Sequence, residues 1–215
     1  MLLAGQLVAM IRLLAVRHGE TDWNRTGRLQ GWAPVGLNDR GRRQARALGA
    51  DLADRDGLLA DDGADRLVTS DLRRTRETAA LLGEALGLPT PQPERAFRER
   101  HLGVYQGLHV DDVRERHPEL DEIGTVTGLS VVPEGGESLA DMAARVRAGV
   151  ATLRRTTPPD ETLVLVTHGG PIRVLLADAT GQDLRSAVRE HDPENCGTWA
   201  FDVGETLALA GAAAD

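Results

Sequence analysis

Residues 13–24 read LLAVRHGETDWN, an apolar run that ends abruptly on Arg17-His18-Gly19. Short apolar runs of this kind are typical of parallel strands that are covered on both faces. In open α/β sheets, ligands bind beyond the carboxyl ends of such strands. The stretch therefore predicts a buried first strand over Ile11–Val16 and, directly after it, a pair of side chains able to hold an anion.

Two later strands are predicted to end in the same way. A strand around Arg66–Thr69 is followed by SDLRR, residues 70–74, and the strand within ETLVLVTHGG, residues 161–170, ends on THGG. If the three strands run parallel, His18, His168 and the arginines after the first two strands meet at one edge of the sheet. Two histidines and two or three guanidinium groups beside a helix N-terminus predict a pocket for a dianion such as phosphate.

The rest of the pattern alternates strands with helices. A helix is predicted from about Gly41 to Arg55. A second helix is predicted to begin after Ser70 or Asp71, either of which can cap it, and to end at Gly87. A capping box of Ser138 and Asp141 predicts the start of a third helix. A last strand over Thr198–Val203 is expected to present a free edge, which leaves a homodimer open. The predicted fold is α/β, a doubly wound, largely parallel sheet with helices on both faces.

One region departs from this alternation. Residues 89–136 are rich in proline, glycine and acids and carry only short apolar patches. They predict a small cap insertion within a single domain that spans residues 1–215. The two ends, residues 1–10 and 205–215, are predicted to be loose termini.

Composition excludes several classes of function. The 215 residues carry a net charge of −8, which argues against a nucleic-acid partner. All 25 basic residues are arginine, so a P-loop lysine, a Schiff-base lysine and a pyridoxal-phosphate lysine are excluded. The apolar start, MLLAGQLVAMIRLLAV, is short of the roughly 20 residues that span a bilayer and lacks the basic region of a signal peptide. We therefore expect a cytoplasmic protein with no membrane partner.

Five motifs follow one another along the chain: RHGETDWN, SDLRRTRETA, FRERHLGVYQG, PEGGES and THGG. In this order they resemble the histidine phosphatase superfamily, the phosphoglycerate-mutase-like proteins, from about Leu13 to Trp199. Each motif alone is weak, because a bare Arg-His-Gly arises by chance. Five such motifs in the family's order, each in a matching strand context, are a specific signal for this family. The resemblance implies that family's α/β fold.

The resemblance also implies roles for single residues. His18 matches the nucleophile that takes the phosphoryl group, and Glu99 matches the acid that protonates the leaving oxygen. Arg17 and Arg74 match the clamp on the phosphate oxygens. The other positions that correspond to phosphate- or substrate-binding residues are His168, Asn24, Gln30, Gly31, Gly169 and His101, and for His101 packing is an equal alternative.

The resemblance implies a phosphatase acting on a small-molecule phosphate monoester, such as a sugar, sugar-acid or nucleoside phosphate. RERHLGVYQGL and GGES resemble bacterial members that act on sugar-acid phosphates, glucosyl-3-phosphoglycerate among them, while others act on α-ribazole phosphate or on many esters. A mutase must hold a second anionic group. Between Leu108 and Glu137, however, only Arg114 and Arg116 are basic and eight residues are acidic. Phosphoglycerate mutase is therefore the second hypothesis, followed by a protein phosphohistidine phosphatase and by an inactive phosphate-binding module.

A metal site at the two histidines is the main chemical alternative. Neither histidine lies in a ligand spacing such as H-E-x-x-H, and the flanking arginines repel a cation. We therefore expect neither metal nor cofactor. Glu20 is expected to brace the turn after the first strand, while Arg25 and Arg28 either line the entrance or lie in a solvated loop. His109, His117 and His191 are expected to be surface or hydrogen-bonded histidines, and Cys196 a small buried residue.

Overall fold

The computed structural model describes residues 10–54, 59, 63–116 and 132–210. Within them one mixed sheet has the strand order β3-β2-β4-β1-β5-β6. Its strands are β1 (Ile11–Arg17), β2 (Arg66–Thr69), β3 (Gln92–Pro93), β4 (Thr162–Thr167), β5 (Thr198–Val203) and β6 (Leu207–Leu209). Around it lie helices α1 (Asp22–Arg25), α2 (Asp39–Ala53), α3 (Arg73–Leu86), α4 (Val110–Arg116), α5 (Leu139–Thr156), α6 (Gly169–Thr180) and α7 (Leu184–Glu190).

The half of the sheet that carries the candidate residues is parallel. β4 lies between β2 and β1 and pairs in parallel with both, and β3 extends the sheet in parallel beyond β2. β5 and β6 are antiparallel additions on the other side of β1. The predicted α/β class and largely parallel sheet are therefore confirmed.

Successive residues of β1 alternate between two separate hydrophobic cores, as expected of a strand covered on both faces. Leu13 and Ala15 belong to the core that includes residues of α5 and α6. Leu14 and Val16 belong to the core that includes residues of α2 and α3. At about 1.5–3 kcal/mol for each large apolar side chain buried, these two layers make β1 the structural centre of the domain.

Two predictions about the C-terminal end are wrong. β5 is not a free edge, because β6 pairs with it on the side away from β1. Residues 205–215 are accordingly not loose throughout, since Leu207–Leu209 form β6, while residues 211–215 lie outside the described part. The acidic and small residues around β6 concealed a three-residue strand, which is too short to show an apolar pattern.

The helix signals are confirmed at α5, where Ser138 and Asp141 form the capping box, and at Gly87, which ends α3 with φ 66°. The predicted cap of α3 is wrong. Leu72 is the N-cap residue and no side chain caps this helix. Ser70 shares a hydrogen bond with His168 instead, and Asp71 accepts two hydrogen bonds from Arg98.

The predicted cap region begins later than residue 89, because Gln92–Pro93 belong to the sheet. After them come two short 3₁₀ turns, Arg95–Phe97 and Gly103–Tyr105, and then α4. Val113 of α4 is buried against Leu29, Leu102 and neighbouring apolar residues, so this region packs on the loop that follows α1. Residues 117–131, which include His117, lie outside the described part.

None of the helices in the described ranges is both long and apolar enough to cross a membrane.

Candidate phosphate-binding site

The structure brings the ends of β2, β4 and β1 together at one edge of the sheet. The backbone N–H of His18 donates to the carbonyl of Thr167, and that of Ser70 donates to the carbonyl of Val166. The rings of His18 and His168 consequently lie edge to face with their centroids 5.2 Å apart. The convergence expected from parallel strands is present.

His18 is almost fully buried, with 3% of its surface exposed, and both ring nitrogens are hydrogen-bonded. Nδ1 lies 2.8 Å from the carbonyl of Gly19, and because a carbonyl only accepts, Nδ1 carries the proton. Nε2 accepts from Nε of Arg74 at 3.1 Å. The imidazole is thereby fixed as the tautomer whose lone pair is on Nε2.

The surroundings of His18 favour the neutral ring. Burial lowers its pKa well below the ordinary value, and the positive charges of Arg74 and Arg17 lower it further. Burial contributes more to this lowering of the pKa than the two arginines do. A neutral imidazole with an available Nε2 lone pair is the form that acts as a nucleophile.

Arg74 is the largest fully buried side chain of the site, with 1% exposed. Besides His18, it donates to the carbonyls of Gly31 at 2.9 Å and Ala33 at 3.4 Å. Burial lowers the pKa of Arg74 to about 10, so the guanidinium remains charged at neutral pH. These three hydrogen bonds and its burial hold the planar guanidinium of Arg74 in place, unlike that of a mobile surface arginine.

Arg17, at the end of β1, is held by the segment that precedes β5. Its Nη1 donates to the carbonyl of Pro193, and its backbone carbonyl accepts from Cys196. Its Nε is buried and has no hydrogen-bond partner in the described part of the chain. Burial also lowers the pKa of Arg17. One face of this guanidinium therefore remains available to bind an anion.

His168 lies at the N-terminus of α6 and is fully buried. Its Nε2 shares a hydrogen bond of 2.9 Å with Oγ of Ser70, while Nδ1 has no partner among the described residues. Burial is the main cause that lowers the pKa of His168, and Arg74 adds to it. Ser70 was missed as a site residue because its position before α3 suggested a cap.

Glu99 reaches the same place from the segment after the first 3₁₀ turn. One carboxylate oxygen accepts the N–H of Arg100 at 2.9 Å, and the other accepts the N–H of Gly170 at 3.1 Å. A Cβ added at Gly170 would overlap Oε1 of Glu99 and would lie 3.0 Å from Sδ of Met142. Glycine at position 170 therefore allows the carboxylate to approach α6, a role that the sequence did not reveal.

The three predicted site residues between positions 24 and 31 differ in their hydrogen bonding. The side-chain oxygen of Asn24 accepts from Thr21 in the capping box of α1, which leaves its amide N–H₂ as the group that suits a phosphate. Gln30 is buried and its Oε1 has no partner within the described ranges. Gly31 has φ +49°, and its carbonyl accepts from Arg74. The loop is thus attached directly to the proposed clamp.

His101 packs edge-on against Trp32, with ring centroids 4.5 Å apart, and its Nδ1 accepts from the N–H of Gly103. The indole N–H of Trp32 donates to the carbonyl of Glu99 at 2.6 Å. These contacts support the packing alternative for His101. They also show that Trp32 contacts the segment that carries Glu99.

The residues outside the cluster behave as surface or turn residues. Arg25 pairs with Asp22 in an exposed helix turn, and Arg28 donates to the carbonyl of Gly107. Glu20 accepts from Asn38 and pairs with Arg40, so it braces the turn as expected. Cys196 is partly buried with φ +61°, and burial raises the pKa of its thiol to about 12.

The arrangement suits a dianion. Two guanidinium groups, the N-terminus of α6 and buried N–H groups surround the Nε2 lone pair of a neutral histidine, with a carboxyl group nearby. Across the described part of the chain, no group of three or more histidine, cysteine, aspartate or glutamate side chains is placed to hold a metal ion. Positive charge rather than a ligand cage dominates the site.

Comparisons with known proteins agree with this chemistry. The profile of the histidine phosphatase superfamily (branch 1) matches residues 13–206. The chain is 40% identical over 179 residues to glucosyl-3-phosphoglycerate phosphatase of Mycobacterium tuberculosis, covering 77% of this chain and 74% of that protein. It is 38% identical over 167 residues to the 2,3-bisphosphoglycerate-dependent phosphoglycerate mutase of Methylobacterium radiotolerans, covering 76% of each. A solved structure of mycobacterial glucosyl-3-phosphoglycerate phosphatase in complex with VO3 matches with a TM-score of 0.79 and 33% identity, covering 93% of this chain and 96% of that one.

Proposed function

This chain belongs to the histidine phosphatase superfamily, and we propose that it hydrolyses a small-molecule phosphate monoester through a phosphohistidine at His18. The substrate class is a sugar, sugar-acid or nucleoside phosphate. The observation that carries the proposal is the His18 ring, neutral and buried, with Nδ1–H bound to a carbonyl and Nε2 facing Arg74. Neither metal nor cofactor is needed for this reaction.

Substrate binding uses the cations of the site. The phosphate oxygens bind Arg17 and Arg74, and the N–H groups of His168, Gly169 and the Asn24 amide complete the cradle. The Nε–H of Arg74 must turn from Nε2 of His18 to a phosphate oxygen, because phosphorus takes the same lone pair. Binding therefore exchanges one hydrogen bond of Arg74 for another and frees the nucleophile at the moment of contact.

In the first step, Nε2 of His18 forms a bond to phosphorus while the ester P–O bond breaks. Glu99, in its protonated form, gives its proton to the leaving oxygen. The equatorial oxygens keep their charge next to the guanidinium groups, and this positioned positive charge supplies most of the catalysis. The imidazole becomes a phosphorylated cation whose Nδ1–H remains bound to Gly19.

In the second step, a water oxygen attacks phosphorus, and the ionised Glu99 takes a proton from that water. The P–N bond breaks and its electron pair returns to Nε2, which regenerates the neutral ring and releases inorganic phosphate. Glu99 then again carries the proton needed for the next substrate.

Phosphoglycerate mutase is the second candidate, because a mutase is among the relatives. A mutase must bind a second anionic group and keep water away from the phosphohistidine. The acidic composition of residues 108–137, which carry only two arginines, disfavours that second group. The same proposal extends to a bacterial, cytoplasmic enzyme without a nucleic-acid or membrane partner, which the net charge of −8 supports.

The deciding experiment is an assay of the purified chain on a panel of phosphate monoesters, with released phosphate as the readout. The panel includes glucosyl-3-phosphoglycerate, phosphoserine, a nucleoside monophosphate and 3-phosphoglycerate. We expect phosphate release that a chelator leaves unchanged. Formation of 2-phosphoglycerate faster than free phosphate would favour the mutase, and loss of activity with the chelator would contradict the metal-free mechanism.

A further inference from the structure

We propose that Arg145, together with Glu137, is a positioning residue that holds Glu99 in place beside His18. The proposal rests on the proposed function, in which Glu99 transfers the proton. Arg145 lies in α5 and belongs to none of the strand ends that form the phosphate cradle. It acts on the reaction only through the segment that carries Glu99.

Arg145 binds the backbone around Glu99 at three points. Its Nη1 donates to the carbonyls of Ala96 at 2.9 Å and Arg98 at 2.7 Å, and its Nη2 donates to the carbonyl of Glu99 at 2.8 Å. This segment, residues 96–99, begins within the 3₁₀ turn Arg95–Phe97 and forms no strand, so its carbonyls need side-chain donors. One guanidinium supplies most of them.

Other side chains complete the pattern. Oγ1 of Thr167 donates to the carbonyl of Phe97, and the indole N–H of Trp32 donates to the carbonyl of Glu99. Four successive carbonyls, residues 96–99, are therefore each bound by a side chain from another part of the fold. Of the residues that the structure describes, only Arg145 contacts both the beginning and the end of this stretch.

Glu137 fixes the guanidinium itself. Its two oxygens accept from Nε of Arg145 at 3.0 Å and from Nη2 at 2.5 Å, and both side chains are largely shielded from solvent. Glu137 also accepts the backbone N–H of His101, two residues after Glu99. The ion pair thus binds the backbone before Glu99, at Ala96 and Arg98, and after it, at His101. A lysine has one compact ammonium and cannot form this planar set of bonds.

The close packing of α5 makes this reach possible. A Cβ at Gly149, one turn after Arg145, would lie 2.8 Å from Cβ of Ala96 and 3.0 Å from Cζ of Phe97. Only a glycine lets the helix lie so near the 3₁₀ turn. The segment and the helix are therefore matched over two successive turns of α5.

The consequence for catalysis is geometric. The Glu99 carboxylate is oriented by N–H groups of Arg100 and Gly170, and a shift of its backbone by about 1 Å would disrupt both contacts and cost about 100-fold in rate. Proton donation matters most for esters whose leaving oxygen is a poor leaving group. Arg145 therefore affects alkyl phosphates strongly and activated aryl phosphates weakly.

The experiment compares Arg145→Met with Arg147→Met, the matched control, since Arg147 lies on the same helix and pairs with the exposed Asp178. kcat/KM is measured for glycerol phosphate and for p-nitrophenyl phosphate. We expect Arg145→Met to lose about 100-fold on the alkyl ester and far less on the aryl ester, and Arg147→Met to match the parent on both. In a Glu99→Gln background, Arg145→Met should have little further effect. An equal loss on both esters, or a full loss on top of Glu99→Gln, would overturn the proposal.

A second readout does not depend on activity. Amide hydrogen exchange of Arg100 and Gly170 reports the hydrogen bonds that hold the Glu99 carboxylate. We expect exchange of both amides to be at least about tenfold faster in Arg145→Met than in Arg147→Met, and unchanged exchange would refute the positioning role. If the parent protein hydrolyses no ester, the proposed function fails while this arm still decides the role of Arg145.

A milder variant covers the case in which Arg145→Met does not fold. Glu137→Gln keeps the size of the side chain but removes its charge and one of the two oxygens that accept from Arg145. Its kcat/KM on the alkyl ester should fall selectively, as in Arg145→Met, but by a smaller factor. A Glu137→Gln protein with normal thermal stability and the parent ratio of alkyl to aryl activity would contradict the proposal.

Discussion

Gly170→Ala is the substitution for which the structure gives the sharpest expectation. Gly170 is the second residue of α6, and replacing glycine by alanine within a helix normally stabilises a protein by about 0.5–1 kcal/mol. Here the new Cβ would overlap Oε1 of Glu99 and press on Met142. The substitution should therefore leave the fold intact or slightly improve it while it displaces the catalytic carboxylate.

The size of the effect follows from this geometry. Relief of the overlap requires Glu99 to move by about 1 Å, which costs about 100-fold, or about 2.7 kcal/mol of transition-state stabilisation. The assay is kcat/KM on an alkyl and an aryl phosphate, beside thermal unfolding. Gly83→Ala is the matched control, because its Cβ would lie 3.3 Å from a Leu67 methyl group and in ordinary contact, at 3.7 Å, with the carbonyl oxygen of Leu88. A Gly170→Ala enzyme with parent activity on the alkyl ester would refute the proposed position of Glu99.

Two further predictions concern ionisation. His18 and His168 have lowered pKa values in the folded state. As the pH falls below about 6.5, the unfolded chain therefore takes up protons on these histidines before the folded chain does. Below that pH the free energy of unfolding should decrease by up to about 1.4 kcal/mol per pH unit for each histidine. Urea unfolding at pH 7.5 and 5.5 measures this, and equal stability at both would contradict buried neutral rings. Asp71 accepts two bonds of 2.6 Å from Arg98, which hold its pKa below the ordinary value, so Asp71→Asn should cost about 1–2 kcal/mol at neutral pH. That cost should vanish as the pH falls through the pKa of Asp71, and a loss that persists unchanged in acid would show that the pair does not act through charge.

The strand ends could be predicted from the sequence because their signals are local. An apolar run that stops on Arg17-His18, and another that stops on Thr167-His168, each mark the carboxyl end of a buried strand. The rule that parallel strands present these ends at one edge then places the two histidines together. This part of the site depends on topology, which alternation of strands and helices already indicates.

The supporting contacts could not be predicted because they join distant parts of the chain. Asp71 stands where a helix cap is expected, yet a bidentate pair with Arg98 replaces that local bond. Arg145 occupies an ordinary polar position of an amphipathic helix, and nothing local shows that it binds carbonyls more than 40 residues away. Gly170 is part of a recognisable THGG stretch, but its closeness to Glu99 exists only in three dimensions.

The most direct test of the account is the site of phosphorylation during turnover. The enzyme is mixed with substrate, quenched within milliseconds in base, which preserves phosphohistidine, and mapped by mass spectrometry. We predict a phosphoryl group on His18 in the parent protein and none in His18→Ala, which should also release no phosphate. A phosphoryl group on another residue, or one that persists in His18→Ala, would contradict the central claim.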